Sequence, residues 1–198
     1  MSLSEEVLVQ TRRERGIAVL ATERLTLRTP QREDVKEIVA LANDRRIAVN
    51  TGRIPHPYGV ADAEHFIARA NKRDGGSCFV ITLDASPIGA CGIELRADGA
   101  ELGYWLGVPF WDQGFATEAS RAMIDYAFGE LDLEALQAGA RVSNPASRRV
   151  LEKCAFQWTG VRLSRIRAIN SAAPIDRFRL DRKLWVSLKR WGKVRRMA

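Results

Sequence analysis

One stretch constrains the fold more than any other: Glu101-Leu-Gly-Tyr-Trp-Leu-Gly-Val-Pro-Phe-Trp-Asp-Gln-Gly-Phe-Ala-Thr-Glu-Ala119. An apolar run from Leu102 to Val108 reads as a strand. Pro109 stops it, Gly114 turns the chain, and an amphipathic helical pattern runs from about Thr117 onward. A glycine turn that feeds a helix leaves several backbone N–H groups unpaired and pointing one way, at the positive end of the helix dipole. Such an end suits a pyrophosphate, and small residues at Gly114 and Ala116 keep the approach to the backbone open. No Gly-Lys-Ser/Thr follows, and the three spaced glycines of a dinucleotide fingerprint are absent. Those absences argue against ATP and NAD and leave other pyrophosphate ligands.

A second unit of the same kind lies downstream. Ala138-Gly-Ala-Arg-Val142 reads as a short strand, and Ser143-Asn-Pro-Ala-Ser-Arg-Arg-Val-Leu-Glu-Lys-Cys-Ala-Phe156 follows it. Asn144 is a good N-cap, Pro145 suits the first helical position, and Val150, Leu151 and Cys154 share one helical face. Two helix N-termini side by side at strand ends would form the mouth of a cleft.

Together these residues resemble the GCN5-related N-acetyltransferase (GNAT) superfamily, and within it the RimJ/RimL-type branch. The resemblance rests on Gly103-Tyr-Trp-Leu106, Phe110-Trp-Asp-Gln-Gly-Phe-Ala-Thr-Glu-Ala119 and Asn144-Pro-Ala-Ser-Arg-Arg-Val-Leu-Glu-Lys153, ending in Ala155-Phe156. It spreads over about residues 23–186, from Leu25-Thr-Leu-Arg-Thr-Pro30 through Pro87-Ile-Gly-Ala-Cys-Gly92 to Asp181. It implies acetyl-CoA as donor, an amine as acceptor, and splayed strands with the pantetheine arm between them. The chain departs from the family pattern at three places. Trp111 takes the first position of the Gln/Arg-x-x-Gly-x-Gly/Ala loop, and Ala155 stands where a glycine is usual. Gln137-Ala-Gly-Ala-Arg141 holds no acid, so a base glutamate found there in some members does not transfer.

The pattern elsewhere fits one α/β (α+β) domain around a mixed sheet flanked by helices, and the resemblance implies that this central sheet is mostly antiparallel. Strands are expected near 24–29, 78–84, 88–96, 100–107, 134–142, 157–169 and 175–182, and helices near 31–43, 62–72, 115–129 and 145–154. At 198 residues the chain is long enough for a full core and short for two typical domains. The expected boundaries are an appendage at 1–22, the transferase domain at 23–186 and a basic tail at 187–198. Cys78, Cys91 and Cys154 are odd in number and lack metal-ligand spacing, so they read as buried free thiols and no metal is expected. No apolar run approaches a membrane span and no signal-peptide pattern opens the chain, so the expected location is cytoplasmic.

Charge separates two function classes. The net charge is +7, yet residues 182–198 carry seven Lys/Arg and no acid, so residues 1–181 balance to zero. Trp185, Leu188 and Trp191 recur at helical spacing among those charges. A docked C-terminal helix is the preferred reading. The alternative is a CoA-fold binding module acting on RNA or an acidic partner through this tail. For an enzyme, the acceptor is a protein N-terminus, ribosomal proteins included, or a small-molecule amine, and a homodimer stays open.

Acetyl transfer needs a neutral amine. At pH 7 a lysine amine requires about 4.6 kcal/mol to deprotonate, an α-amine only about 1 kcal/mol. Glu101 is the first candidate base, then Glu94, with His56 and His65 weaker. By resemblance, Ser147 is the candidate acid for the leaving sulfur. Cofactor contacts are assigned to the backbone of Gln113, Gly114, Phe115, Ala116 and Thr117 for the pyrophosphate, with Arg121 or Arg149 as helpers. Leu106, Val108, Asn144 and Ser147 are assigned to the pantetheine arm and thioester. The acceptor pocket is expected from residues 45–75.

Overall fold

The computed structural model describes residues 10–14, 17–72 and 76–196. Nine strands form a single sheet in the order β1-β2-β3-β4-β5-β6-β7-β9-β8. They are β1 (Gln10–Glu14), β2 (Ile17–Ala21), β3 (Thr26–Arg28), β4 (Gly76–Leu83), β5 (Ser86–Arg96), β6 (Gly99–Leu106), β7 (Ala135–Arg141), β8 (Gln157–Ile166) and β9 (Ser171–Asp181). All pairings are antiparallel except β6 with β7. Helices α1 (Val35–Ala42), α2 (Arg45–Ala48) and α3 (Val60–Lys72) precede β4. Helices α4 (Phe115–Gly129), α5 (Pro145–Lys153) and α6 (Arg182–Arg196) follow β6, β7 and β9 respectively.

Both sheet faces are covered. On one, Ala119, Ala122, Met123 and Phe128 of α4 pack with Leu102, Leu136, Phe178 and Leu151 in the main core. Burying side chains such as Phe128 and Phe178 stabilises the fold by about 1.5–3 kcal/mol each. On the other, Ile38, Ala42, Ala63, Ile67 and Tyr58 form a smaller cluster that Trp105 packs against.

Most expected elements appear within a few residues of their expected limits, and the differences have local causes. Residues read as an appendage supply β1 and β2, with Leu20 fully buried. β8 stops at Ile166, where Arg167–Ile169 makes a 3-10 turn and Asn170 adopts φ 47°. That turn lets β9 start at Ser171, paired with Ile166. The C-terminal segment is helical and docked. Trp185 stacks on Phe128 at 5.3 Å and donates to Asp125 Oδ1 at 2.8 Å, and Lys189 reaches Asp125 Oδ2 at 2.7 Å. The side chains from Trp191 on lie outside the described residues. Among the described residues no helix is long and apolar enough to cross a membrane.

Candidate active site

The parallel ladder between β6 and β7 is short. Ala100, Glu101 and Leu102 pair with Leu136, Gln137 and Ala138, and the strands then separate. Beyond that point Gly103–Leu106 and Gly139–Arg141 face each other across a gap. The gap belongs to a cavity of about 1040 Å³. Strand alternation sorts its walls. Leu102, Tyr104 and Leu106 of β6, with Ala138 and Ala140 of β7, lie on the α4 side. Glu101, Gly103, Gly139 and Arg141 lie on the opposite side.

Helix α4 begins with Gly114 at φ 82°, ψ −7°, a left-handed conformation that suits glycine, and among the described residues no side chain caps its first turn. The first described backbone donor satisfied there is Glu118 N, which bonds Gly114 O at 3.1 Å. The preceding loop is pinned in two places: Trp111 Nε1 donates to Leu106 O at 2.9 Å, and Gln113 Nε2 to Pro109 O at 2.8 Å. Trp111 therefore anchors the loop to the end of β6. A brace with no local signature in the sequence comes from the turn before β3. Glu118 is buried and accepts from Thr22 Oγ1 (2.6 Å), Arg24 N (2.9 Å) and Arg24 Nε (2.7 Å). The same arginine donates to Gln113 O at 3.0 Å and lies 4.5 Å over the Phe115 ring. It places a guanidinium beside Gly114, a role expected of Arg121 or Arg149. Arg149 lines the cavity from α5.

The second helix end is capped as expected, with Ser147 N donating to Asn144 Oδ1 at 3.1 Å. Tyr104, part of the Gly103-Tyr-Trp-Leu106 motif but not among the candidate site residues, reaches it from β6. Its hydroxyl lies 2.9 Å from Ser147 Oγ and donates to Ser147 O at 3.2 Å. Burial pushes the Tyr104 phenol above its ordinary value, against a smaller opposing effect of the Ser147 hydrogen bond.

Glu101 is held from two sides, Oε1 by Arg177 Nη1 at 2.7 Å and Oε2 by Arg96 Nη1 at 2.6 Å. Gly139 matters here, because a Cβ would stand 2.9 Å from Ile175 and 3.0 Å from Arg177 Nη1 and so displace that pair. Glu94, opposite Glu101 on β5, takes Arg53 and Arg96. Burial opposes its charge, but the hydrogen bonds of both arginines outweigh this and hold its carboxyl below the ordinary value. His56 and His65 are exposed and do not line the cavity.

Of the residues singled out from the sequence, Glu101, Leu106, Gly114, Phe115, Ala116, Thr117, Asn144 and Ser147 line this one cavity, whereas Val108 and Gln113 do not. Arg46, Ile47, residues 50–54, Phe66, Arg69 and Ala70, from the segment expected to shape the acceptor pocket, also line it. The segment 162–166 of β8 joins them there, which local pattern gave no means to foresee.

A cleft between splayed parallel strands, with an uncapped glycine-led helix end opening onto it, is the frame of an acyl-CoA transferase. The family model for the acetyltransferase (GNAT) domain matches residues 24–157, and the chain belongs to that family. It is 31% identical over 150 residues to the uncharacterized N-acetyltransferase p20 of Bacillus licheniformis, spanning 72% of this chain and 84% of that protein. Among solved structures, RimJ of Mycobacterium smegmatis with CoA-disulfide matches with a TM-score of 0.73 at 18% identity, over 88% of this chain and 87% of that one. The spermidine N-acetyltransferase of Vibrio cholerae with CoA and spermine gives 0.70 at 21%, over 82% and 98%. These two share the fold. The chain is thus a GNAT acetyltransferase that works with acetyl-CoA on an acceptor amine.

Proposed function

We propose that this protein acetylates an α-amine-like primary amine, at a protein N-terminus or on a small molecule, by direct attack on the thioester. The observation that carries the reading is the shared cavity. The uncapped end of α4, the gap between β6 and β7, the Tyr104–Ser147 pair and Glu101 all open onto it. Bound acetyl-CoA supplies an activated acetyl thioester. The N–H groups of Phe115, Ala116 and Thr117, with Arg24 beside them, hold its pyrophosphate, where helix dipole and free donors act together. Asn144 has its carbonyl oxygen committed to the cap, which leaves its amide N–H₂ for the pantetheine arm. The free edge of β6 around Leu106 supplies further backbone partners there.

In the transfer, the amine nitrogen bonds to the acyl carbon as the carbon–sulfur bond breaks. Glu101, fixed by Arg96 and Arg177, takes the amine proton through water. Ser147 gives its proton to the departing sulfur and regains one from water as Glu101 releases the amine proton to solvent, and Tyr104, a positioning residue, orients the serine hydroxyl. A carboxylate whose two oxygens are both held by arginines reaches the amine only through water. That agrees with an acceptor needing only about 1 kcal/mol of deprotonation rather than the roughly 4.6 kcal/mol of a lysine.

Calorimetric titration with acetyl-CoA and with desulfo-CoA, which shares the pyrophosphate and most of the pantetheine arm, against ATP tests the donor site. Selective binding, followed by thiol release on adding α-amines, is the expected result. Absence of selective binding would overturn the reading.

A further inference from the structure

Arg141 ends β7 on the Glu101 side of the gap. It spends Nη1 on the carbonyl of Val49 at 2.8 Å. Among the described residues no carboxylate pairs with it, and its Nε is buried without a hydrogen-bond partner. A partly buried guanidinium with an idle donor and no counter-charge is costly to keep. Its surroundings sharpen the point. The cavity wall holds nine arginines and one lysine against Glu94, Asp98, Glu101 and Asp112. Arg149 and Lys153 sit on α5, by the donor side. At the acceptor end every acid is already taken: Glu94 by Arg53 and Arg96, Glu101 by Arg96 and Arg177, Asp98 by Arg162. Among the described residues Arg165 bonds the neutral Asn170 side chain, at 2.6 Å, and pairs with no carboxylate. Arg69 has no carboxylate partner among the described residues. Since residues 1–181 balance to zero overall, this excess is gathered into the cavity.

From these positions we infer that the acceptor is an amine that carries its own anionic group, a carboxylate or phosphate near the reacting nitrogen, and that Arg141 binds that group. The inference rests on the acetyl-transfer reading above. A polycationic amine would enter a field of its own sign. An anionic amine would supply the missing counter-charge, and the same field would favour the neutral form of its nitrogen, the form that attacks. Two sources share this chemistry: a free amino acid or similar small molecule, and a peptide with acidic residues directly after its N-terminus.

The test uses the full chain at saturating acetyl-CoA, with acetylated product measured by mass spectrometry. Free amino acids are compared with their amides, peptides bearing aspartate at the second and third positions with peptides bearing lysine there, and spermidine with both. The expected result is a kcat/KM at least about tenfold higher for the anionic member of one pair, shrinking as salt screens the field; the pair that shows it names the source. Arg141→Gln should abolish that preference through KM while leaving acetyl-CoA affinity unchanged, and Arg141→Lys should restore part of it. The wild-type comparison decides the matter should Arg141→Gln not fold. Equal or better turnover of the neutral and cationic members overturns the inference, as does a preference that survives in Arg141→Gln. Acetyl-CoA binding is titrated alongside. Its absence overturns the donor site and the inference with it, whereas intact binding with no charge preference overturns this inference alone.

Discussion

Replacing Gly114 with valine separates the fold from the cofactor site at one backbone position. At φ 82° an L-residue costs about 1–2 kcal/mol, and a β-branched one stands at the upper end. A Cβ there lies 3.3 Å from Arg24 Nη2, the movable tip of a side chain, so little is added. A loss of about 2 kcal/mol leaves a domain with typical stability of about 5–15 kcal/mol folded. The valine methyls, however, would stand before the N–H groups at the start of α4. Hydrogen bonds to a charged group are worth about 1.5–3 kcal/mol each. Losing two of them removes about 3–6 kcal/mol, or roughly 10²- to 10⁴-fold in Kd. Urea unfolding measures the first quantity and calorimetry with acetyl-CoA the second. Gly114→Ala, with equal strain sign but less bulk, should fall between. A folded Gly114→Val whose acetyl-CoA Kd stays within about threefold of wild type, under 0.7 kcal/mol, would refute the assignment.

Ser147→Ala should lower kcat by roughly 10²-fold or more with acetyl-CoA affinity nearly unchanged, and Tyr104→Phe should lower it less, because the serine hydroxyl is then present but unoriented. Stopped-flow thiol release reads both, and equal kcat in all three proteins would remove Ser147 from the chemistry. Asp34 is buried, which raises its pKa, but the two Arg28 bonds at 2.8 Å and the Gln31 N–H at 2.7 Å outweigh this and leave it below the ordinary value of 3.8. A depressed folded-state pKa gives stability that is present above the unfolded value and is lost as pH falls through the folded one. Urea midpoints should therefore drop below about pH 4 in wild type, and Asp34→Asn should flatten that slope while costing about 3 kcal/mol at pH 7. Burial raises the thiol of Cys78 to about 11 and of Cys154 to about 12, and pushes Cys91 well up. Native protein at pH 8 should react slowly with a thiol-specific disulfide reagent, and three thiols should appear on unfolding in denaturant.

Local chemistry along the chain determined a good deal of this protein. Alternation of apolar residues marks β6, Gly114 marks the turn into α4, and Asn144-Pro145 marks the start of α5, because each depends on backbone preferences within a few residues. The paired strand-to-helix units and their resemblance to a family were legible for the same reason. The partners of those units were not. Arg24 reaches Glu118 across 94 positions, Tyr104 reaches Ser147 across 43, and Arg177 reaches Glu101 across 76. Such pairings follow from sheet order and register, which short-range pattern does not encode. The opening of β6 from β7 after Leu102 likewise arises only when the whole sheet is assembled. So does the excess of arginine in the cavity. In sequence those residues are scattered through a segment whose charges cancel, and only folding gathers the cations around one cavity and leaves Arg141 without a counter-ion among the described residues.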